Sequence, residues 1–237
     1  MTDQLNIALA QLNPTLGDLR GNMERVRAAR ETARGQGADI VLYPELFIVG
    51  YPPEDLVLKR AFQDDAMEAV RTLAAETADG GPAMLLGTPW RDDERKLRNA
   101  VAYCDGGKVA ALTFKADLPN YGVFDEKRVF VPGPMPGPVN VRGVRIGVPV
   151  CEDIWGAEVV ECLAETGAEL LLVPNGSPFD AFKRDVRLNR AVARVVESGL
   201  PMAYVNQMCG QDELVFDGGS FVLNADRRLA EIVRAHV

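Results

Sequence analysis

The feature that most constrains this chain is a set of short, β-branched apolar runs, each broken abruptly by a polar residue, with helically spaced segments between them. Val144-Arg145-Ile146-Gly147-Val148-Pro149-Val150 is the most telling: a buried-strand pattern that runs straight into Cys151-Glu152-Asp153-Ile154-Trp155. Val159, Val160 and Leu163 then fall on one side of a helix between Gly156 and Gly167. A cysteine at a strand end, before a turn into a helix, is held on rigid backbone with its sulfur presented outward, where nucleophiles sit in α/β folds. The competing reading is a small buried hydrophobe, the usual fate of a free cysteine.

The same alternation covers the chain. Strands are expected at 6–12, 39–43, 83–87, 99–104, 108–114, 169–173 and 202–206, with a final hairpin region at 214–216 and 220–223. Helices are expected from a cap at Asp18 or Asn22 through Ala33, from Phe62 to Thr77, and from Phe182 to Ser198 with Val186, Asn189, Ala193 and Val196 near one face. Trp90 to Leu97 reads as a charged loop, 117–130 as a long irregular loop of the kind that is usually functional, and 132–138 as a stiff Pro/Gly connector. Strand–helix alternation with apolar strands argues an α/β layered fold.

With 237 residues, 47% of them hydrophobic, the chain buries a sizeable core, most simply in one domain. A net charge of −8, with acids and bases interspersed, argues against nucleic acid and anionic membrane surfaces as partners. No apolar stretch approaches the roughly twenty residues of a membrane span, and residues 1–6 lack a signal-peptide pattern. Four cysteines without C-x-x-C spacing fit a reduced, cytoplasmic setting. The single histidine, His236, is penultimate, which argues against histidine-dependent catalysis and a histidine metal site. If Cys151 is a nucleophile, its base must be a carboxylate or a lysine.

Two residues answer that need. Glu45 follows the strand 39–43 across Pro44 and is embedded among Leu46, Phe47 and Ile48, a desolvated carboxylate suited to act as a base. A capping or salt-bridged glutamate is the plain alternative. Lys115 directly follows the strand 108–114. Residues at the same end of neighbouring strands converge, so glutamate, lysine and cysteine form a cluster that needs no histidine. The carboxylate takes the thiol proton, and the ammonium stabilises an oxyanion.

Pro44-Glu45-Leu46-Phe47, Lys115 and Cys151-Glu152-Asp153-Ile154-Trp155 resemble the nitrilase superfamily of carbon–nitrogen hydrolases and its Glu-Lys-Cys triad. Longer strings are similar to the amidase domains of glutamine-dependent NAD synthetases: 11–14, 50–56, 118–121, 124–128 and 210–220. The resemblance implies a four-layer α-β-β-α sandwich of the nitrilase type, commonly homo-oligomeric, that hydrolyses L-glutamine through a γ-glutamyl thioester. It implies Glu45 as base, Lys115 as oxyanion stabiliser and Cys151 as nucleophile, with the Glu152 amide as a second oxyanion donor. Tyr121, the Glu152 side chain, Ser177 and Lys183 match substrate-binding positions, and Glu126 matches an additional glutamate near the triad.

Asp153 and Trp155 are expected to support the turn, and Arg128 to fix its loop through a carboxylate. Cys104, Cys162 and Cys209 are expected to be inert; Cys209 and Arg227 stand where the resemblance places glycine. No metal or organic cofactor is implied for this domain. ATP, Mg²⁺ and deamido-NAD would belong to a synthetase domain, whose S-G-G-x-D-S loop does not occur in the 237 residues. That partner domain is therefore expected to be absent and NAD synthesis beyond this chain. Two other readings remain: a free-standing nitrilase-type amidase or carbamoylase acting on another small amide, and a catalytically silent docking or oligomerisation domain.

Overall fold

The structure, a computed structural model, describes residues 4–181 and 183–234, without the side chains of 183–184 and 231–234. The first half of the chain builds one sheet and its helical cover. β1 (Ile7–Leu9), β2 (Ile40–Leu42) and β3 (Ala83–Arg91) are parallel, and β4 (Leu97–Asp105) and β5 (Lys108–Phe114) continue antiparallel, in the order β1-β2-β3-β4-β5. α1 (Leu19–Gly35) and α2 (Arg60–Glu76) pack against it. Asp18 caps α1 by accepting from the Gly21 amide, which offsets an otherwise unpaired N–H of the first turn. Asn22 lies inside that helix, buried and donating to the carbonyls of Thr15 and Ile48.

The second half repeats the arrangement. After the four-residue helix α3 (Glu126–Val129) come β6 (Val139–Val141), β7 (Val144–Gly147), α4 (Glu158–Glu165), β8 (Leu170–Asn175), α5 (Lys183–Ser198), β9 (Met202–Asn206), β10 (Met208–Gln211), β11 (Leu214–Leu223) and β12 (Leu229–Arg234). The sheet order is β10-β11-β9-β8-β7-β6, with β12 on β11. β7, β8 and β9 are parallel.

Period-two alternation sorts the strand residues into three apolar layers. Ile40, Leu42, Leu85, Val101 and Tyr103 of the first sheet meet Ile146, Val148, Val150, Leu172 and Val205 of the second in a central layer. Their neighbours Val41, Met84, Leu86 and Ala102 turn the other way, to a layer that includes Val26 of α1 and Val70 and Leu73 of α2. Leu171, Val173, Met202 and Tyr204 face Val159, Leu163, Ala191 and Val195 of α4 and α5. Three layers of side chains between four layers of backbone make an α-β-β-α sandwich. No helix among the described residues is long and apolar enough to cross a membrane.

Several expected boundaries move. The charged segment 90–97 is not a long loop: β3 runs on through Arg91 and β4 starts at Leu97, pairing Trp90 with Arg98. The expected last hairpin is one ten-residue strand, β11, flanked by β10 and β12. The strand leading to Cys151 leaves its ladder at Gly147; 148–150 continue extended without strand pairing but stay in the central layer. On α5 the inward face is Arg187, Ala191, Arg194 and Val195, whereas Val186 and Val196 are exposed.

Candidate active site

Glu45 sits in the turn after β2, and its position depends on a glycine on the next strand. A Cβ on Gly87 would lie 2.4 Å from both the Pro44 carbonyl and the Leu46 amide, so only glycine lets 44–46 lie across β3. Leu46 takes a left-handed φ of 48°, and the Ile48 amide bonds to the Gly87 carbonyl. Lys115 enters from β5: its amide donates to the carbonyl of Asn99 on β4, and its own carbonyl accepts from Gly133. Glu126 opens α3.

These three side chains meet. Lys115 Nζ donates to Glu45 Oε1 at 2.6 Å and to Glu126 Oε1 at 2.8 Å, with lysine and Glu45 both 0% exposed. Tyr51 donates its hydroxyl to Glu126 Oε1, and the Gly176 amide donates to Glu45 Oε2 at 2.9 Å. A Cβ on Gly176 would come within 2.8 Å of the Tyr51 ring, so the close approach of this loop to the cluster needs glycine. Asn99 Nδ2 reaches both carboxylates, Glu45 Oε1 at 2.8 Å and Glu126 Oε2 at 3.3 Å.

Cys151 opens a one-turn 3₁₀ segment, Cys151–Ile154, with φ at 47° and 3% exposure. A non-glycine residue held left-handed stores strain of the kind that clusters at functional sites. Asp153 anchors the turn. Its Oδ2 accepts from the Val150 amide, and its Oδ1 accepts from the amides of Ala116 and Asp117. One carboxylate thus ties the residue before Cys151 to the two residues after Lys115. Burial pushes that carboxyl up to about 7, against the pull of the Asp117 and Val150 amides.

The electrostatics fit a protonated thiol beside a charged lysine. Burial, and next the charge of Glu45, push the Cys151 thiol well above its usual range, with Lys115 opposing. Burial works against the Lys115 charge, yet Glu126 and Glu45 hold its ammonium well above the ordinary lysine value. The Glu126 carboxyl is raised by burial, with Lys115 pulling down and Glu45 pushing up.

The positions expected to bind substrate are spread around this centre. Tyr121, 50% exposed, donates its hydroxyl to Glu152, 3.0 Å from each oxygen. Both line an open depression with Ala116, Asp117, Lys127 and Trp155. Ser177 follows Gly176 and is buried; its Oγ accepts from Arg187 Nε at 3.0 Å, and its carbonyl accepts from Arg187 Nη2 and Asn206 Nδ2. It therefore belongs to an internal network, not to an open wall. Lys183 begins α5, and its side chain lies outside the described residues.

Asn99, Tyr51, Gly176 and Arg187 were not singled out from the sequence as site residues. The signal for Asn99 was available: a polar side chain opening an otherwise apolar strand, one register step from Lys115. Arg187 carried no such signal, since an arginine in an amphipathic helix reads as solvated. Arg128 pairs with Asp55, Glu54 and Asp125, fixing the 117–130 loop to the segment before α2. Trp155 packs under the Arg190 guanidinium.

A four-layer sandwich with a buried glutamate–lysine couple beside a thiol defines a class, and residues 6–233 match the carbon-nitrogen hydrolase family; the chain belongs to it. More narrowly, it is 49% identical over 230 residues to the glutamine-dependent NAD(+) synthetase of Rhodobacter capsulatus, covering 97% of this chain and 41% of that protein. It is 38% identical over 224 residues to the Thermotoga maritima enzyme of the same name, covering 94% and 38%. The chain thus spans about two fifths of these relatives. Among solved structures, glutamine-dependent NAD+ synthetase from Acinetobacter baumannii superposes with a TM-score of 0.88 at 33% identity, covering 96% of this chain and 43% of that one. An amidase from Nesterenkonia sp. AN1, one variant of which carries acrylamide added at the active-site cysteine, gives 0.86 at 31% identity over 98% and 89%.

Proposed function

We propose that this chain is a glutaminase domain that hydrolyses L-glutamine to glutamate and ammonia and supplies the ammonia to an NAD synthetase domain. The observation that carries the chemistry is the buried Lys115–Glu45 couple beside a strained, protonated thiol. The relatives named for glutamine-dependent NAD synthesis support the substrate; the Nesterenkonia amidase, similar over 98% of this chain and with an active-site cysteine, supports a reacting cysteine in this fold.

Because the thiol is held protonated, attack and proton transfer are concerted. Cys151 Sγ forms a bond to the side-chain amide carbon of glutamine while its proton passes to Glu45. The oxyanion faces the Lys115 ammonium, which is buried and already held in place by Glu45 and Glu126, so it costs no reorganisation. Glu45 then passes the proton to the departing nitrogen, the C–N bond breaks, and ammonia leaves a γ-glutamyl thioester. Glu45 next takes a proton from water as the water oxygen attacks; the C–S bond breaks, glutamate departs and the thiol is re-protonated. Glu126 shares the Lys115 ammonium and keeps it aimed between the two carboxylates. Glutamine's α-ammonium pairs with Glu152, with Tyr121 and Lys183 completing the binding set and Ser177, bonded to Arg187, fixing the loop after Gly176 from within, in a cytoplasmic homo-oligomer.

The test is intact mass after brief incubation with a diazo-ketone glutamine analogue, run beside ammonia release from glutamine. One adduct, lost in Cys151→Ala together with glutaminase activity, is the expected result. Glutamine hydrolysis by Cys151→Ala would sink the reading. A second reading, amide hydrolysis without a synthetase partner, is favoured by the 89% coverage of the Nesterenkonia amidase; a panel of small amides separates the two.

A further inference from the structure

Glu45 is more heavily bonded than a resting general base needs to be. An ionised carboxylate offers about four lone-pair directions, two on each oxygen. Oε1 receives Lys115 Nζ at 2.6 Å and Asn99 Nδ2 at 2.8 Å, so both of its directions are taken. Among the described residues, Oε2 receives only the Gly176 amide, at 2.9 Å. One direction is left, and it is on Oε2.

Asn99 is an unusual choice for the place it fills. It is 1% exposed, and its carbonyl oxygen is buried with no hydrogen-bond partner among the described residues. Leaving a buried acceptor unpaired costs stability, so an asparagine kept in this state is kept for its other half. That half, one NH₂ group, donates to Glu45 Oε1 and to Glu126 Oε2. The orientation is forced, because a flipped amide would set its oxygen against two carboxylate oxygens. The Asn99 main chain is tied in as well, its carbonyl accepting the Lys115 amide.

We infer that Asn99 is a positioning residue for the Glu45 base: its amide occupies Glu45 Oε1 and bridges to Glu126, which leaves Oε2 as the oxygen that takes the Cys151 proton. This rests on the glutaminase reading for the identity of the reaction, though not for the geometry. Lys115 alone does not fix the choice of oxygen, because one ammonium between two carboxylates can slide between them. The neutral amide bridging the far side prevents that without adding charge to a cluster that already holds two acids, one base and a thiol.

The experiment uses the whole chain with Asn99→Leu, close in shape and without a donor, and Asn99→Asp, isosteric with an acceptor in place of the donor. Three quantities are read: glutamine kcat and KM, the rate of Cys151 labelling by iodoacetamide followed by peptide mass, and the melting temperature. The expected result is a loss of about a hundredfold in kcat with KM within threefold of wild type, and a tenfold or greater slowing of Cys151 labelling, in at least one variant that melts cooperatively. A structural role alone would lower the melting temperature and leave the labelling rate of the folded fraction unchanged. Wild-type kcat and labelling in a folded variant would overturn the inference. If wild type hydrolyses no glutamine, the functional reading fails separately, and the labelling rates still decide the role of Asn99.

Discussion

At the scale of single residues, the site combines strain and buried charge, and the two respond differently to substitution. Cys151 sits at φ 47°, so a Cβ at this position is unwelcome whatever the side chain. Cys151→Gly is expected to be more stable than Cys151→Ala by about 1 kcal/mol, the reverse of the usual order, read from denaturant midpoints at equal m-value. Among the described residues, Lys115 is the one cation paired with the two buried carboxylates, Glu45 and Glu126. Removing it as Lys115→Ala leaves Glu45 and Glu126 facing each other and is expected to cost about 3–5 kcal/mol as well as all activity. Glu45→Gln preserves the Lys115–Glu126 pair, so it should lose activity with a much smaller loss of stability. Equal destabilisation by both substitutions would show that the ion pair with Glu126 carries little.

At the scale of elements, what could be read from the chain followed from how cleanly a residue's type matches its burial. β2, β5 and β9 were legible because apolar side chains fill both faces or alternate strictly, and Glu45, Lys115 and Cys151 stood out as polar residues ending such runs. The family strings did the rest, bringing Glu126 and Tyr121 to notice. α5 was misjudged for a physical reason. Arg187 and Arg194 occupy its inward face, Arg187 bonded to Ser177, Pro178 and Asp217, while Val186 and Val196 face out. The inward face is the one spaced Leu188, Ala191, Val192 and Val195, offset from the face expected through Val186 and Val196 and masked by the arginines interleaved with it. The 91–96 charges likewise hid a tight β3–β4 connection, because exposed strand ends carry charge as readily as loops do. The β11–β12 turn shows a position where this chain keeps strain without function: Arg227 sits at φ 70°. Arg227→Gly is expected to raise stability by about 1 kcal/mol, with activity unchanged, in a thermal melt paired with a glutaminase assay.

For the whole molecule, acids raised by burial set the pH dependence of stability. Asp153 is pushed up to about 7, and Glu126, Glu152 and Asp117 are each raised, with burial the leading cause in every case. In the unfolded chain such carboxyls lose their protons near pH 4. Between about pH 4 and 7 the folded state therefore holds more protons than the unfolded state, and stability declines as pH rises through that window. Asp153 alone accounts for roughly 4 kcal/mol on a shift of about three units. The denaturant midpoint is expected to be higher at pH 5 than at pH 7.5. Asp153→Asn should flatten that slope while lowering stability overall, since an amide cannot accept all three backbone N–H groups. A midpoint that rises from pH 5 to 7.5 would contradict this account.

The connector at 132–138 divides the molecule along its central apolar layer. Every strand of the first sheet, with α1, α2 and α3, comes before it, and every strand of the second, with α4 and α5, comes after. Glu45, Asn99, Lys115 and Glu126 thus lie on one side of this seam, while Cys151 and Gly176 lie on the other. Cut at the exposed Met135, the chain becomes two fragments, each displaying half of one hydrophobic interior and half of the candidate site. Neither fragment holds both the Cys151 thiol and the Glu45 carboxylate. Expressed as two polypeptides fused to a pair of interacting proteins, a chain with the proposed glutaminase activity is expected to act as a split reporter, silent until the halves meet.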